Sequence, residues 1–130
     1  MRAVILEPCF ERTTPWMMAR VVGSAGTIAL PSQIATVRLE VWDDDAPSDA
    51  SPIHVVPTIV PADVFFATLQ LEERWTRDEI GYNFGYKALK VQLPKGRRNY
   101  RFEFKCITDE AEPNEFYVTF MQPTLPLRSQ

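Results

Sequence analysis

The segment "DEIGYNFGYKALKVQLPKGRRNYRFEFKCIT", residues 78 to 108, carries the strongest local pattern in the sequence. Large apolar residues alternate with glycine or polar residues in its first half, and with charged residues in its second half. Successive side chains of a β-strand point to opposite faces, so this pattern predicts two half-buried strands, over residues 80 to 93 and 99 to 108. The predicted inward residues are Ile80, Tyr82, Phe84, Tyr86, Ala88, Tyr100, Phe102, Phe104 and Cys106.

The segment between these two runs contains the signals of a chain reversal. "LPKGRRN" supplies a proline and a glycine, which predicts that the two strands are antiparallel neighbours. After the turn "TDEAEPN", the segment "EFYVTFM" at residues 115 to 121 alternates again. The three strands are therefore predicted to form a meander.

Further strands are predicted upstream. "IATVRLEVW", residues 34 to 42, alternates cleanly, while "PWMMARVV" from residue 15 and "IHVVPTIV" from residue 53 are rich in β-forming residues. Pro57 cannot donate to a sheet ladder and predicts an edge strand or a bulge in the last of these. Residues 62 to 69, "ADVFFATL", fit either a strand or a short helical turn after Pro61.

The fold class follows from the distribution of prolines and short strands along the chain. Eleven prolines interrupt it too often for long helices, and about seven short strands predict an all-β, antiparallel, immunoglobulin-like β-sandwich. A small barrel is the alternative. Residues 15 to 121 are predicted to form the sandwich domain, with an N-terminal arm at 1 to 14 and a C-terminal tail at 122 to 130. Both arms lack sustained alternation, and a partner can order such arms.

The length, the net charge and the short apolar stretches of the chain argue against several classes of protein. A length of 130 residues is that of one domain, and a formal net charge of −3 gives no global attraction to nucleic acid or to an anionic membrane. No apolar stretch reaches the ~20 residues of a membrane span, and charged residues interrupt the start before a signal-peptide core can form. We therefore expect no export, and we interpret Cys9 and Cys106 as thiols.

Residues that suggest catalysis or metal binding have simpler interpretations. Asp43, Asp44 and Asp45, with Asp49 nearby, could bind calcium, but a solvated loop is favoured because the EF-hand glycine and glutamate are missing. His54 is the only histidine and has no partner motif. The carboxylates near Trp75, namely Glu72, Glu73, Asp78 and Glu79, could form a glycosidase pair, but acidic residues beside an aromatic are common on the surface of a sandwich. We predict no enzyme activity, no metal and no cofactor.

Two groups of surface residues are candidates for binding. Lys95, Arg97, Arg98 and Arg101 surround Tyr100, and they suggest a phosphate-binding patch, a solvated turn, or a contact with the acidic Asp43 to Asp45 loop of another copy. The solvated turn is favoured. The three tryptophans, Trp16, Trp42 and Trp75, suggest a sugar-binding platform or a protein interface. Trp42 lies on the polar side of its strand and is the best candidate for exposure.

The order of these features resembles that of a known family. It runs from "ARVVGSAGTIALPSQIATVRLEVWD" through the "GYNF" strand, the proline and glycine turn, the "YRFEFK" strand and the acidic turn to the closing "FYVTF" strand. This order resembles the small immunoglobulin-like domains of tailed-phage structural proteins, including the N-terminal domain of the phage baseplate upper protein. The resemblance covers about four-fifths of the chain.

The resemblance implies a non-enzymatic structural protein of a virion, present in many copies and made in the host cytoplasm. Such domains decorate a capsid, neck, tail or baseplate and bind other virion proteins, with no nucleic acid or membrane partner. The predicted protein-interface residues are Trp16, Trp42, Lys95, Arg97, Arg98, Leu125 and Leu127. The alternative function is a carbohydrate-binding module that uses exposed Trp42 or Trp75 and calcium at Asp43 to Asp45.

Overall fold

A computed structural model describes residues 3–23, 26–47 and 50–128 of the chain. Within these ranges it is almost entirely β-structure, with one four-residue helix, α1 (Pro61–Val64), and 3-10 turns at Pro31–Gln33 and Lys90–Gln92. The strands are β1 (Val4–Ile5), β2 (Cys9–Phe10), β3 (Trp16–Ala19), β4 (Ile34–Asp43), β5 (His54–Ile59), β6 (Phe65–Gln70), β7 (Tyr82–Lys87), β8 (Asn99–Thr108) and β9 (Glu115–Leu125). No helix in the described part of the chain is long and apolar enough to cross a membrane.

The strands form two sheets. The larger sheet has the order β1-β9-β8-β4-β5, with β2 also paired to β9, and the smaller sheet has the order β3-β7-β6. All pairs are antiparallel except those of β1 and β2, which run parallel to β9. The division of β3 to β9 between the sheets is that of an immunoglobulin sandwich, so the predicted fold class is confirmed.

A detail at the start of β8 supports the same fold. The hydroxyl oxygen of Tyr100 accepts a hydrogen bond of 3.1 Å from the backbone N–H of Lys95, five residues upstream. This is the arrangement of the tyrosine corner that precedes the sixth strand of immunoglobulin-type domains. It fixes the loop that leads into β8, which is part of the candidate site described below.

Aromatic rings join the two layers. The ring of Phe84, from the smaller sheet, lies 4.9 Å from that of Phe104 and 5.8 Å from that of Phe120, both in the larger sheet. None of the three side chains is exposed. Edge-to-face and offset contacts of this kind add to the stabilisation from burial alone, and the predicted inward positions of Phe84, Phe102 and Phe104 are confirmed.

The predicted meander is wrong in its first strand. β7 is the central strand of the smaller sheet, whereas β8 lies between β4 and β9 in the larger one. The residues between β7 and β8, with the 3-10 turn Lys90–Gln92, therefore cross from one layer to the other instead of closing a hairpin. Alternation predicts two strands but does not identify their partners. The antiparallel pairing of β8 with β9 is as predicted.

β7 also departs from the predicted half-burial. Asn83 and Gly85, predicted to face outward, are buried, and Ile80, predicted to face inward, is 57% exposed. A Cβ atom at Gly85 would lie 3.2 Å from the ring of Phe66, so this side of the strand is covered by a neighbouring side chain. The amide of Asn83 is bonded to the backbone of Val21 and Ala29.

The predictions for residues 53 to 69 agree with the structure. β5 is an edge strand that contains Pro57, and the register of its pairing with β4 shifts between Val37 and Leu39, as the proline predicted. Residues 62 to 69 contain both of the alternatives, because α1 ends at Val64 and β6 begins at Phe65.

Neither terminal segment is detached from the sandwich in the described residues. β1 and β2, within the predicted arm at 1 to 14, pair with β9, and the side chain of Val4 is part of the core. β9 continues to Leu125, four residues past the predicted boundary at 121. Residues 1, 2, 129 and 130 of the predicted arms lie outside the described ranges.

Candidate protein-contact site

Three segments meet at one end of the sandwich: residues 9 to 13, residues 93 to 98 and residues 122 to 127. We call this region the terminal junction. Glu11 N–H donates to the carbonyl of Leu125 at 2.9 Å, Arg12 N–H to Leu93 at 2.7 Å, and Arg97 N–H to Thr124 at 2.9 Å. Both terminal segments are thereby attached to the loop between β7 and β8.

Thr124 and Gly96 hold the loop against the C-terminal segment. The buried hydroxyl of Thr124 donates to the carbonyl of Lys95 at 2.7 Å and accepts from the N–H of Arg98 at 3.2 Å. A Cβ atom at Gly96 would lie 2.5 Å from the Cα atom of Pro126, closer than side chains tolerate. Glycine is therefore required at this position by close backbone contact.

The backbone of the junction contains two unusual conformations. Arg12 has a φ of 54° and Arg97 a φ of 57°, and in the described residues they are the only positive values outside glycine. This left-handed conformation costs an L-residue roughly 1–2 kcal/mol. It persists when the surrounding structure enforces it, often where a side chain is presented for function.

The surface of the junction combines exposed apolar side chains with cations of the same three segments. Phe10 and Leu125 are register partners on β2 and β9 and share a face; they are 51% and 44% exposed, and Leu127 is 49% exposed. The exposed side chains of Arg12, Lys95 and Arg97 belong to the same segments, and none forms an ion pair with any described residue. An apolar centre with a charged rim is the composition of a protein interface.

Five of the seven predicted interface residues come together here: Lys95, Arg97, Arg98, Leu125 and Leu127. Arg98 is half-buried, and its guanidinium lies 3.4 Å from the carboxylate of Asp43. The guanidinium of Arg101 likewise lies 2.8 Å from the carboxylate of Asp44. These two arginines thus contact the acidic loop of their own chain, because the register of β4 and β8 places that loop beside them; the sequence suggested the loop of another copy.

The tryptophans do not form a flat platform. Trp16 is 39% exposed, with the guanidinium of Arg74 at 4.8 Å from its ring centroid, and half-buried Trp42 lies beneath Arg101 at 5.5 Å. Trp16 lies on β3 and Trp42 on β4, in different sheets and outside the terminal junction. The expectation of an exposed Trp75 is wrong, because this side chain is only 8% exposed and packs against Tyr82.

Two of the four carboxylates that suggested a glycosidase pair, Asp78 and Glu72, are engaged in structural contacts. Asp78 accepts hydrogen bonds from the N–H of Gly81 at 3.1 Å and of Trp75 Nε1 at 3.1 Å, and from Arg20 at 2.8 Å. These bonds, that of Gly81 foremost, hold the pKa of Asp78 well below its usual range. The hydrogen bond from Arg74 likewise lowers the pKa of Glu72. A glycosidase acid requires a raised pKa, and neither group has one.

The acidic loop is also engaged within the chain. Asp45 accepts a hydrogen bond of 2.8 Å from the N–H of Asn99, and Asp43 and Asp44 contact the arginines described above. Asp49 lies outside the described residues. Among the residues that are described, no group of three or more His, Cys, Asp or Glu side chains could hold a metal ion.

The two cysteines, on β2 and β8, are paired with residues at opposite ends of β9. Cys9 pairs with Thr124 and Cys106 with Phe116, eight residues apart along an extended strand, or ~26 Å. A disulfide requires Cα atoms within about 7 Å, so both are thiols, as predicted. Burial raises the pKa of the Cys106 thiol to about 12 and also raises that of Cys9. A reactive cysteine has the opposite shift.

Sequence reasoning missed Phe10 and Arg12 as members of the junction. β2 has only two residues, too few for any alternation to be visible, and it is parallel to a strand more than 100 residues away. The left-handed conformation of Arg12 has no sequence signal either, since this conformation is typical of glycine and asparagine. Only the assembled fold identifies these two residues.

Comparison with known proteins adds no family name. No protein-family model matches the chain, and searches of curated proteins and of solved structures find no match. The resemblance to tailed-phage domains therefore stays a prediction.

Proposed function

We propose that this chain is a non-enzymatic structural protein of a phage-like virion, and that it binds neighbouring virion proteins through the terminal junction. The observation that carries the proposal is the presence of three apolar side chains, each 44–51% exposed, on a surface fixed by hydrogen bonds between three segments. Their cationic rim favours an apolar partner surface that bears carboxylates. A position within the particle is not part of the proposal.

The fixed conformation of the junction also supports a role in protein contact. A surface that is already fixed loses less conformational freedom on binding than a free arm does. Phe10 and Leu125 are held side by side by the parallel pairing of β2 with β9. In this proposal, the terminal segments bind partners as part of the sheet edge, not as free arms.

The chemistry of the titratable groups supports a role without catalysis. The pKa values of both cysteine thiols are raised, which keeps them protonated at neutral pH. The pKa of Asp78 is lowered, so this carboxylate is ionised at neutral pH, and it accepts hydrogen bonds from the backbone of its own loop. None of these groups is prepared to donate or accept a proton near neutral pH.

The proposal is tested by incorporation into particles. The chain is co-expressed with the structural proteins encoded beside its gene, particles are isolated by sedimentation, and the bound chain is quantified. The double variant Phe10→Ser/Leu125→Ser is expected to reduce incorporation at least tenfold, because truncation of a central interface residue commonly costs about 2 kcal/mol or more.

The matched control changes two apolar residues of similar exposure elsewhere. Val60 and Leu71 are 57% and 60% exposed and lie outside the junction. Val60→Ser/Leu71→Ser is expected to leave incorporation unchanged, with thermal melting showing that both proteins are folded. Equal incorporation of the two double variants would reject the junction as the contact. We avoid deletion of residues 1 to 14, because it would also remove Val4 from the core and Glu7, whose carbonyl accepts a hydrogen bond from Gln122.

A further inference from the structure

The two ends of the sandwich differ in the charged side chains that have no ion-pair partner among the described residues. At the terminal junction, Arg12, Lys95 and Arg97 form no ion pair with the described residues, and Glu11, the carboxylate within these segments, accepts a hydrogen bond from the N–H of Leu127. The adjoining loop Asp43 to Asp45 contacts Arg98, Arg101 and Asn99. The unpaired cations therefore belong to the same segments as the exposed apolar residues.

The far end of the sandwich is acidic. The turn between β8 and β9 carries Asp109, Glu110 and Glu112, all exposed, and Glu115 begins β9. Of these four residues only Glu115 forms an ion pair, at 3.6 Å with Lys105. The neighbouring segment from residue 21 to residue 34 contains no charged residue. The charge of this end therefore comes from the turn, which we call the acidic turn.

The acidic turn borders a pocket with mixed apolar and polar walls. This pocket, of about 570 Å³, lies between the acidic turn and residues 21 to 23 and 27 to 34; its lining includes Val22, Ala29, Ile34 and Phe116, and also Thr27, Gln33, Glu110 and Glu115. Val22 is 51% exposed and Phe116 is half-buried. The exposed apolar side chain of Val22 and the unpaired carboxylates of the acidic turn are complementary to the exposed apolar side chains and unpaired cations of the terminal junction.

We propose that copies of this chain associate head to tail, with the terminal junction of one copy on the acidic turn and pocket of the next. This inference rests on the proposed function and names the partner of the same site. A junction-to-junction dimer would bring the cations of two copies together, and like-charge contacts disfavour that arrangement. The head-to-tail contact instead pairs opposite charges around apolar centres.

The fold makes such a contact repeatable. β8 starts at the junction and ends at the acidic turn, so its ten residues separate the two surfaces by ~33 Å. A contact between different surfaces leaves one of each free after every addition, so it continues into a filament or closes into a ring. This is the geometry by which a small domain is incorporated in many copies.

Charge reversal at each end provides the test. One variant is Lys95→Glu/Arg97→Asp, in which aspartate tolerates the left-handed conformation of residue 97. The other is Asp109→Lys/Glu112→Lys, two exposed carboxylates that make no side-chain hydrogen bond or ion pair with the described residues. Sedimentation velocity of the full chain is measured for wild type, each variant and their equimolar mixture, after thermal melting has shown each to be folded.

The wild type is expected to associate at low salt and to dissociate between about 0.01 M and about 1 M salt, since the Debye length falls from about 30 Å to about 3 Å over that range. Each reversed variant alone has like charges at both ends and is expected to associate at least tenfold more weakly. The mixture restores opposite charges at every contact and is expected to recover association. The matched control, Arg77→Glu/Lys87→Glu, changes two exposed cations outside the junction and is expected to behave as wild type.

Three results would overturn the inference: a wild type that remains monomeric at low salt, a reversed variant that associates as the wild type does, or a mixture that fails to recover association. The proposed function is judged separately. If self-association fails these tests while Phe10→Ser/Leu125→Ser still abolishes incorporation into particles, the junction binds a different protein. If self-association passes and incorporation is unaffected, the proposed function fails instead.

Discussion

At each end of the sandwich a buried polar side chain bonds to the backbone of a neighbouring segment, and the two ends differ in what else holds that segment. At the acidic end, the amide of Asn83 accepts from the N–H of Val21 at 2.7 Å and donates to the carbonyls of Val21 and Ala29 at 3.0 and 2.9 Å. At the terminal junction, the hydroxyl of Thr124 bonds to the backbone of Lys95 and Arg98.

The difference lies in what remains when the side chain is removed. The junction keeps backbone hydrogen bonds between Arg97 and Thr124 and between Thr124 and Arg98, each 2.9 Å long. The segment beside Asn83 keeps a backbone hydrogen bond of 2.9 Å from the N–H of Ala29 to the carbonyl of Val21. The N–H of Val21 and the carbonyl of Ala29, however, are bonded to the side-chain amide of Asn83. We infer that the acidic end depends more on its buried side chain than the junction does.

Asn83→Leu is expected to have the largest effect. It leaves two buried backbone groups, the N–H of Val21 and the carbonyl of Ala29, without partners. Each such group costs roughly 1–3 kcal/mol, so we expect the free energy of unfolding to fall by about 2–6 kcal/mol. Urea denaturation monitored by tryptophan fluorescence measures the change. A loss below about 1 kcal/mol would show that water or another group replaces the amide.

Gly96→Ala is expected to disturb the junction despite its backbone hydrogen bonds. The added methyl group would lie 2.5 Å from Pro126 and 2.8 Å from the carbonyl carbon of Leu125, so the C-terminal segment must move. Overpacking of this kind costs about 1–3 kcal/mol, and hydrogen exchange at residues 122 to 127 should accelerate. Gly23→Ala is the control, since its Cβ atom would lie 3.7 Å from the carbonyl of Thr27, an ordinary contact. Similar effects at both glycines would contradict the close-contact explanation.

Asp78 gives the acidic end a dependence on pH. Its pKa is lowered, chiefly by the hydrogen bond from Gly81, so its stabilising contribution is fully present above its unfolded pKa of about 3.9 and is lost as pH falls through the lower folded pKa. We expect the wild type to lose thermal stability below about pH 4. In Asp78→Asn this part of the pH dependence should vanish. An unchanged slope in the variant would assign the acid sensitivity to other carboxylates.

Thr124→Val is expected to cost less than Asn83→Leu, about 1–2 kcal/mol. The shape of the side chain is nearly kept, and the carbonyl of Lys95 and the N–H of Arg98 lose their hydroxyl partner, while the backbone bonds of the junction remain. Chemical denaturation of both variants under the same conditions provides the comparison. A larger loss at Thr124 than at Asn83 would reverse our view of which end depends more on its buried side chain.

Arg97→Gly is expected to leave stability unchanged or to raise it by up to about 1 kcal/mol, because glycine adopts a positive φ without strain. The same variant should weaken incorporation into particles, since it removes an exposed cation from the junction. Arg97→Asn tolerates the conformation and lacks the charge, so it should behave similarly. If both variants bind as the wild type does, the charge of Arg97 has no role in the contact.

The sequence predicted which strands have one solvent-exposed face much better than it predicted which strands pair with each other. On β8, Phe102 and Phe104 are buried and Glu103 is not, as the alternation required. On β7 the same alternation failed at Asn83 and Gly85, because both faces of this strand are covered. Five of the seven predicted interface residues meet in the junction, but Trp16 and Trp42 do not, and the pairing of β2 with β9 was not predictable from two residues.

What the sequence determined by itself is the all-β class and the inward set on β8 and β9, since the direction of successive side chains is a local property of an extended backbone. What the tertiary structure decided is the assignment of β7 and β8 to different sheets, the burial of Asn83, and the meeting of Phe10, Lys95 and Leu125 at one end. Those features depend on contacts between residues far apart in the chain, which local periodicity does not encode.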